Sequence, residues 1–175
     1  MDSVHVCGGG FVLRPWEAQD LESLVMHAND PQVPLGLSDL FPHPYTREHG
    51  QAFLNGEVVD LSEPVRAIVV DGQACGGIAL RLGQGERAGT AELGYWLGRS
   101  HWGRGLMTAV VGRFLEVMVP ALDLHRIGAC VLDSNPASAR VLEKNGFVAE
   151  GCQRAIVRKA DGLHDLRLFA WVGPR

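Results

Sequence analysis

Apolar positions along this chain recur at two spacings, and the spacings divide it into elements. Phe11–Arg14 reads as a first strand that Pro15 ends. Glu17–His27 carries Leu21, Leu24 and Val25, a helical stripe. Thr46 is an expected N-cap for a helix over Arg47–Asp60, with Phe53, Leu54, Val58 and Val59 apolar. Val65–Val70 and Gln73–Leu82 flank Asp71-Gly72, a hairpin signal, and a polar turn over Gly83–Thr90 leads into a strand at Ala91–Leu97. Met107, Val110, Val111, Phe114, Leu115 and Met118 then repeat at three-and-four spacing, with Pro120 as the stop. Arg126–Leu132 is a short apolar run, the mark of a buried strand. Asn135-Pro136 reads as N-cap and first turn of a helix ending at Asn145-Gly146, where Gly146 takes the left-handed position. Phe147–Lys159 and Leu163–Val172 are the last strands, joined across Asp161-Gly162.

The order β-α-α-β-β-β-α-β-α-β-β describes an α/β sheet of mixed direction. A dinucleotide-binding fold of regular βα alternation is excluded by the early run of three strands. Between the first two helices lies Asp30–Tyr45, a loop with four prolines.

Composition changes this picture little. A chain of 175 residues, 46% hydrophobic and 21% charged, is expected to form one domain over 1–175 with a substantial core. The net charge of −4 argues against nucleic acid as the partner. No apolar run reaches the roughly 18 residues of a membrane helix, and the N-terminus lacks the marks of a signal peptide. Cys7, Cys75, Cys130 and Cys152 are scattered without a C-x-x-C pair, so no metal site is expected and a cytoplasmic setting with reduced thiols is.

The chemistry concentrates in Ala91–Met107. Gly98, Gly103 and Gly105 sit with Arg99 and Arg104 where a strand hands over to a helix N-terminus. Clustered backbone N–H groups and the positive end of a helix dipole suit phosphate oxygens. A phosphorylated cofactor is therefore expected here.

Set beside that element order, a series of blocks resembles the GNAT superfamily of N-acetyltransferases, and within it the ribosomal-protein N-acetyltransferases of the RimJ/RimL type. The blocks are Leu13-Arg14-Pro15, His43-Pro44-Tyr45-Thr46, Glu92–Leu97, Gly103–Thr108, Asn135–Phe147 and Glu150-Gly151. The resemblance spans nearly the whole chain. It implies the GNAT (acyl-CoA N-acyltransferase) fold: a mixed central sheet of six to seven strands with a splayed parallel pair, flanked by four helices. There are departures. Trp102 stands where the family's phosphate loop usually opens with Gln or Arg, and Met107 where it often has Gly or Ala. The segment Arg154–Lys159 lacks the carboxylate that some relatives carry.

What the resemblance implies is an acetyltransferase that moves an acetyl (or succinyl) group from acyl-CoA to a primary amine by direct attack in a ternary complex. Trp102, Gly103, Arg104, Gly105, Leu106, Met107 and Thr108 would cradle the pyrophosphate. Trp96, Leu97 and Gly98 would line the pantetheine arm, with an oxyanion donor near Trp96 or Leu97. Asn135 would touch the same arm, and Ser138 would hydrogen-bond the cofactor and protonate the departing thiolate. Glu92 is the expected base, acting through water on an acceptor amine whose free pKa lies at about 8 to 10. It shares a strand face with Gly94 and Trp96. A solvated or salt-bridged strand-end carboxylate is the competing reading of Glu92. His43 and Tyr45, in the Pro-rich loop, are expected at the acceptor side with Glu92, against the alternative of simple loop packing. The acceptor would be a protein N-terminus or a small amine, and a homodimer is compatible with the family. A non-catalytic acyl-CoA-binding module is the rival function.

Overall fold

The computed structural model describes residues 6–38 and 41–174. Eight strands make one sheet, in the order β1-β2-β3-β4-β5-β6-β8-β7. They are β1 (Val6–Gly8), β2 (Phe11–Arg14), β3 (Val65–Val70), β4 (Gln73–Leu82), β5 (Thr90–Leu97), β6 (Arg126–Leu132), β7 (Val148–Lys159) and β8 (Gly162–Val172). The helices are α1 (Leu21–Ala28), α2 (Arg47–Leu54), α3 (Leu106–Ala121) and α4 (Pro136–Lys144). All neighbouring strands run antiparallel except β5 and β6. The expected GNAT architecture is therefore present, with the short strand β1 added at one edge.

The two faces of the sheet are covered by different helices. The main core lies under α3 and α4, where Val110, Val111, Phe114 and Leu142 pack on Leu13, Ile68, Ile78, Leu80 and Ile127, all nearly or wholly buried. On the other face Leu24 and Ala28 of α1 meet Tyr45, Phe53 and Trp96. Arg14 and Asp20 anchor α1 to β2: the guanidinium donates two bonds of 2.7 Å to the carboxylate. Asp20 is 3% exposed and also accepts from the Glu17 N–H at 2.9 Å. Its bonds and charge hold Arg14 above the ordinary arginine pKa. This is why a strand reading Leu13-Arg14-Pro15 turns at once into a short 3-10 turn, Ala18–Asp20, and then α1.

Three boundaries differ from the sequence expectation. α2 stops at Leu54 rather than Asp60, because Asn55 caps it and Gly56 turns left-handed at φ 77°. Val58 is consequently 60% exposed instead of packed on a helical stripe. Pro120 lies inside the last turn of α3, which closes at Ala121. The first helix begins later than Glu17, at Leu21. The turn signals hold: Asp71 and Gly72 have φ 48° and 79°, and Gly146 has φ 80°.

Candidate active site

β5 and β6 pair only over Thr90↔Arg126, Ala91↔Ile127 and Glu92↔Gly128. Beyond that point they part. β5 remains bonded to β4 as far as Leu97↔Gly76, and β6 to β8 as far as Leu132↔Leu166. Among the described residues Leu93–Leu97 thus has one edge without a strand partner. Such an edge offers its backbone N–H and C=O groups to a ligand.

Immediately after β5 comes the glycine loop. Gly98 opens a 3-10 turn over Arg99–His101. A Cβ on Gly98 would fall 2.5 Å from His27 Nδ1, so close approach, not φ, requires glycine there. Burial, then the charge of His101, pushes the His27 imidazole below its ordinary pKa. Gly103 and Gly105 have φ 73° and 74°, with open space around each. Their backbone conformation rather than crowding calls for glycine. Gly105 is the N-cap of α3 and brings no capping side chain, so the first-turn N–H groups of Leu106, Met107 and Thr108 are free to meet an anion. Arg99 and Arg104 are exposed and form no ion pair among the described residues. Trp102 turns its indole inward: Nε1 donates to the Leu97 carbonyl at 2.7 Å, tying the loop to the last residue of β5.

On the α4 side of β5, Tyr95 reaches the first turn of α4. Its hydroxyl lies 2.8 Å from Ser138 Oγ and donates to the Ser138 carbonyl at 3.2 Å. Ser138 is oriented from below by the N-cap, its N–H donating to Asn135 Oδ1 at 3.2 Å. Burial pushes the Tyr95 phenol up to about 12, so it stays protonated at neutral pH. Sequence reasoning gave Tyr95 no role of its own. Its alternation with Leu93 and Leu97 is that of a core position, and only the fold shows a serine hydroxyl at its tip. The Pro-rich loop reaches the same place. A Cβ on Gly36 would sit 2.4 Å from Asn135 Nδ2, and Lys159 Nζ donates to the Leu37 carbonyl at 2.7 Å.

On the opposite face of β5, Glu92 lies at the last paired position of the seam. It is exposed and bridges to its cross-strand partner Arg81. Cys130 of β6 stands nearby: burial, then the Glu92 charge, raises its thiol pKa. Trp96 shares this face and stacks edge-on to Phe41, with ring centroids 5.4 Å apart.

The two residues expected at the acceptor side separate. His43 is exposed and precedes a cis peptide to Pro44. Tyr45 is 5% exposed, packed with Leu24 and Ala28 as the loop-packing alternative has it, and its backbone N–H donates to Asn29 Oδ1 at 2.8 Å. That burial pushes its phenol up to about 12 and leaves little surface for an acceptor. Among the described residues no group of three or more His, Cys, Asp or Glu side chains is placed to hold a metal ion, and no helix is long and apolar enough to cross a membrane.

Comparison with known proteins agrees with this geometry. The chain is 40% identical over 85 residues to the probable N-acetyltransferase YjcK of Bacillus subtilis (strain 168), covering 49% of this chain and 47% of that protein. It is 35% identical over 82 residues to the ribosomal-protein-serine acetyltransferase of Escherichia coli (strain K12), covering 46% and 45%. These matches span about half the length of the curated relatives. In fold, the chain superposes on RimL, a ribosomal L7/L12 alpha-N-protein acetyltransferase solved with coenzyme A. The TM-score is 0.82 at 19% identity, over 96% of this chain and 97% of that one. The model of the acetyltransferase (GNAT) domain matches residues 11–148, a stretch that runs from β2 through the seam, the glycine loop and α4 into β7. By that match the chain belongs to the GNAT acetyltransferase family.

Proposed function

We propose that this protein transfers an acetyl group from acetyl-CoA to a primary amine. The carrying observation is the juxtaposition of the open seam with the uncapped N-terminus of α3. A pantetheine arm is an extended chain bearing amides, which an unpaired strand edge matches. Its pyrophosphate suits the loop that follows. RimL, with the same fold, was solved with coenzyme A.

The chain's own residues divide the work. Trp102, Gly103, Arg104 and Gly105, with the N–H groups of Leu106, Met107 and Thr108, hold the pyrophosphate. Trp96, Leu97 and Gly98 line the arm, and a backbone N–H near Trp96 or Leu97 donates to the thioester oxygen. Asn135 orients Ser138, and Ser138 with Tyr95 forms a hydroxyl pair that donates a proton to the departing thiolate. A cofactor supplies the activated acyl group. Glu92 takes the acceptor's proton through water once Arg81 moves aside. His43 borders the acceptor entrance. A protein N-terminus is the acceptor class favoured by the likeness to RimL, an alpha-N-protein acetyltransferase.

Calorimetry with acetyl-CoA and succinyl-CoA, followed by thiol release with N-terminal Ser or Ala peptides and with small amines, tests this reading. Micromolar binding of acetyl-CoA and peptide-dependent thiol release are expected. Binding without turnover on any amine would leave a binding module in place of an enzyme. Glu92→Gln should lower turnover; unchanged turnover across pH would remove Glu92 from the mechanism.

A further inference from the structure

The end of the β7–β8 hairpin is tied to the site through one imidazole. His164 of β8, whose side chain is 15% exposed, has a carboxylate on each ring nitrogen. Nδ1 lies 2.9 Å from Asp133 Oδ1, and Nε2 lies 2.9 Å from Asp161 Oδ1. A neutral imidazole has one N–H and one lone pair, and here the lone pair would face a carboxylate oxygen. Only the protonated ring donates to both. The bonds to Asp161 and Asp133, with the carboxylate charges, accordingly raise the His164 pKa above 6.5. Val157, its partner on β7, is uncharged. Asp165, the next residue of β8, points to the opposite face, where it accepts the Ala155 N–H at 2.8 Å.

Asp133 joins this ring to the chemistry. It stands in the turn between β6 and α4, where the Asn135 N–H donates to the Leu132 carbonyl at 2.9 Å. Its Oδ2 accepts the Asp165 N–H at 3.2 Å, so its carboxylate pins that turn to β8 through both oxygens. Two residues on, Asn135 Oδ1 accepts the Ser138 N–H, and Ser138 Oγ meets the Tyr95 hydroxyl. The Pro-rich loop closes on the same turn at Gly36 and is held to the hairpin by Lys159. We propose that His164 is a positioning residue for the proton-donating pair, a role that rests on the acyl-transfer reading: its ring, held between Asp133 and Asp161, fixes the turn that carries Asn135 and so sets Ser138 against Tyr95. As pH climbs through the raised pKa the ring loses a donor, one carboxylate bond breaks, and the turn loosens.

Nitrogen-15 NMR of the full chain between pH 6 and 9.5, beside kcat with acetyl-CoA and an N-terminal peptide, tests this. The His164 ring should lose its proton with a midpoint above pH 6.5. The Asn135 and Ser138 amide signals should titrate with it, and kcat should fall through the same midpoint. His164→Gln should lower kcat by about tenfold below that midpoint and leave acetyl-CoA affinity within about threefold. Asp161 is 75% exposed, so Asp161→Asn supplies the readout if His164→Gln fails to fold. It removes a charge but keeps an oxygen acceptor, and the ring midpoint and the alkaline fall in kcat should move together to lower pH. A ring midpoint at or below pH 6.5 would overturn the positioning role. So would a midpoint that moves in Asp161→Asn while kcat and the Ser138 amide do not follow. If no amine is turned over, the acyl-transfer reading falls, and the positioning stands or falls on whether the Ser138 amide follows the ring.

Discussion

The two faces of β5 are built from consecutive residues and do opposite things. Leu93, Tyr95 and Leu97 turn toward α3 and α4, into a dry setting where Tyr95 meets Ser138 at 2.8 Å. Glu92, Gly94 and Trp96 turn toward α1 and α2, where Glu92 is wet and bound to Arg81. Side-chain alternation in a strand has a period of two, so a single strand separates a dry face from a wet one without a loop between them. The lesson is that a hydroxyl pair and a carboxylate can be held by one rigid element while differing in solvation, as the proposed acid and base roles require.

The comparison breaks most forcefully where one face loses its attachment. Asp20→Asn leaves Arg14 buried opposite a neutral amide and loosens α1 from β2. A loss of about 3–5 kcal/mol in denaturant unfolding is expected. A loss under about 1 kcal/mol would show that the pair is not what seats α1 on the sheet. On the α4 face, Tyr95→Phe and Ser138→Ala should each lower kcat by about 10- to 100-fold, with little change in acetyl-CoA affinity. The double variant should cost no more than the larger single effect, since one hydroxyl pair is lost either way. Full additivity would mean that the two act separately.

Gly105→Ala is a smaller perturbation. It forces a Cβ onto a residue at φ 74°, with a strain of about 1–2 kcal/mol, and the loop should relieve it by moving off the α3 N-terminus. Acetyl-CoA affinity is expected to fall about tenfold with the acceptor KM unchanged; calorimetry and steady-state kinetics distinguish the two.

The smallest expected effect concerns pH. His164 donates to or accepts from Asp133 and Asp161 at 2.9 Å on each ring nitrogen, and these bonds, with the carboxylate charges, raise its pKa above the ordinary 6.5. The folded state therefore favours the protonated ring. Its stabilisation is complete below pH 6.5 and fades as pH climbs through the raised folded value. His164→Gln should lower the Tm more at pH 5.5 than at pH 9. His27 has the opposite sign: its depressed pKa favours folding above pH 6.5, and that contribution is lost as pH falls through the folded value. Equal Tm losses at both pH values for His164→Gln would refute the clasp.

The site was legible where its chemistry is local. The glycines at 103 and 105 point to an anion loop because a glycine-bearing turn into a helix start is a short-range fact, and α3 begins there as expected; their left-handed φ is what the structure adds. Asn135 as N-cap is equally local and also holds. Tyr95 was missed because its hydrogen-bond partner lies 43 residues away. Glu92's bond to Arg81 depends on strand register, and the burial of Tyr45 depends on how a Pro-rich loop settles on α1.

By itself the amino-acid sequence determined the order and kind of the main elements, the hairpin and cap positions, and the phosphate-suited loop after β5. Each of these follows from periodicity or backbone preference within a few residues. Tertiary structure alone decided where β5 and β6 part, that Val6–Gly8 adds an edge strand, and that Lys159 reaches across 122 residues to the Leu37 carbonyl. It also decided that His164 comes to lie between Asp133 and Asp161. Those outcomes depend on sheet pairing and on the packing of distant segments, energies that no local window of the chain contains.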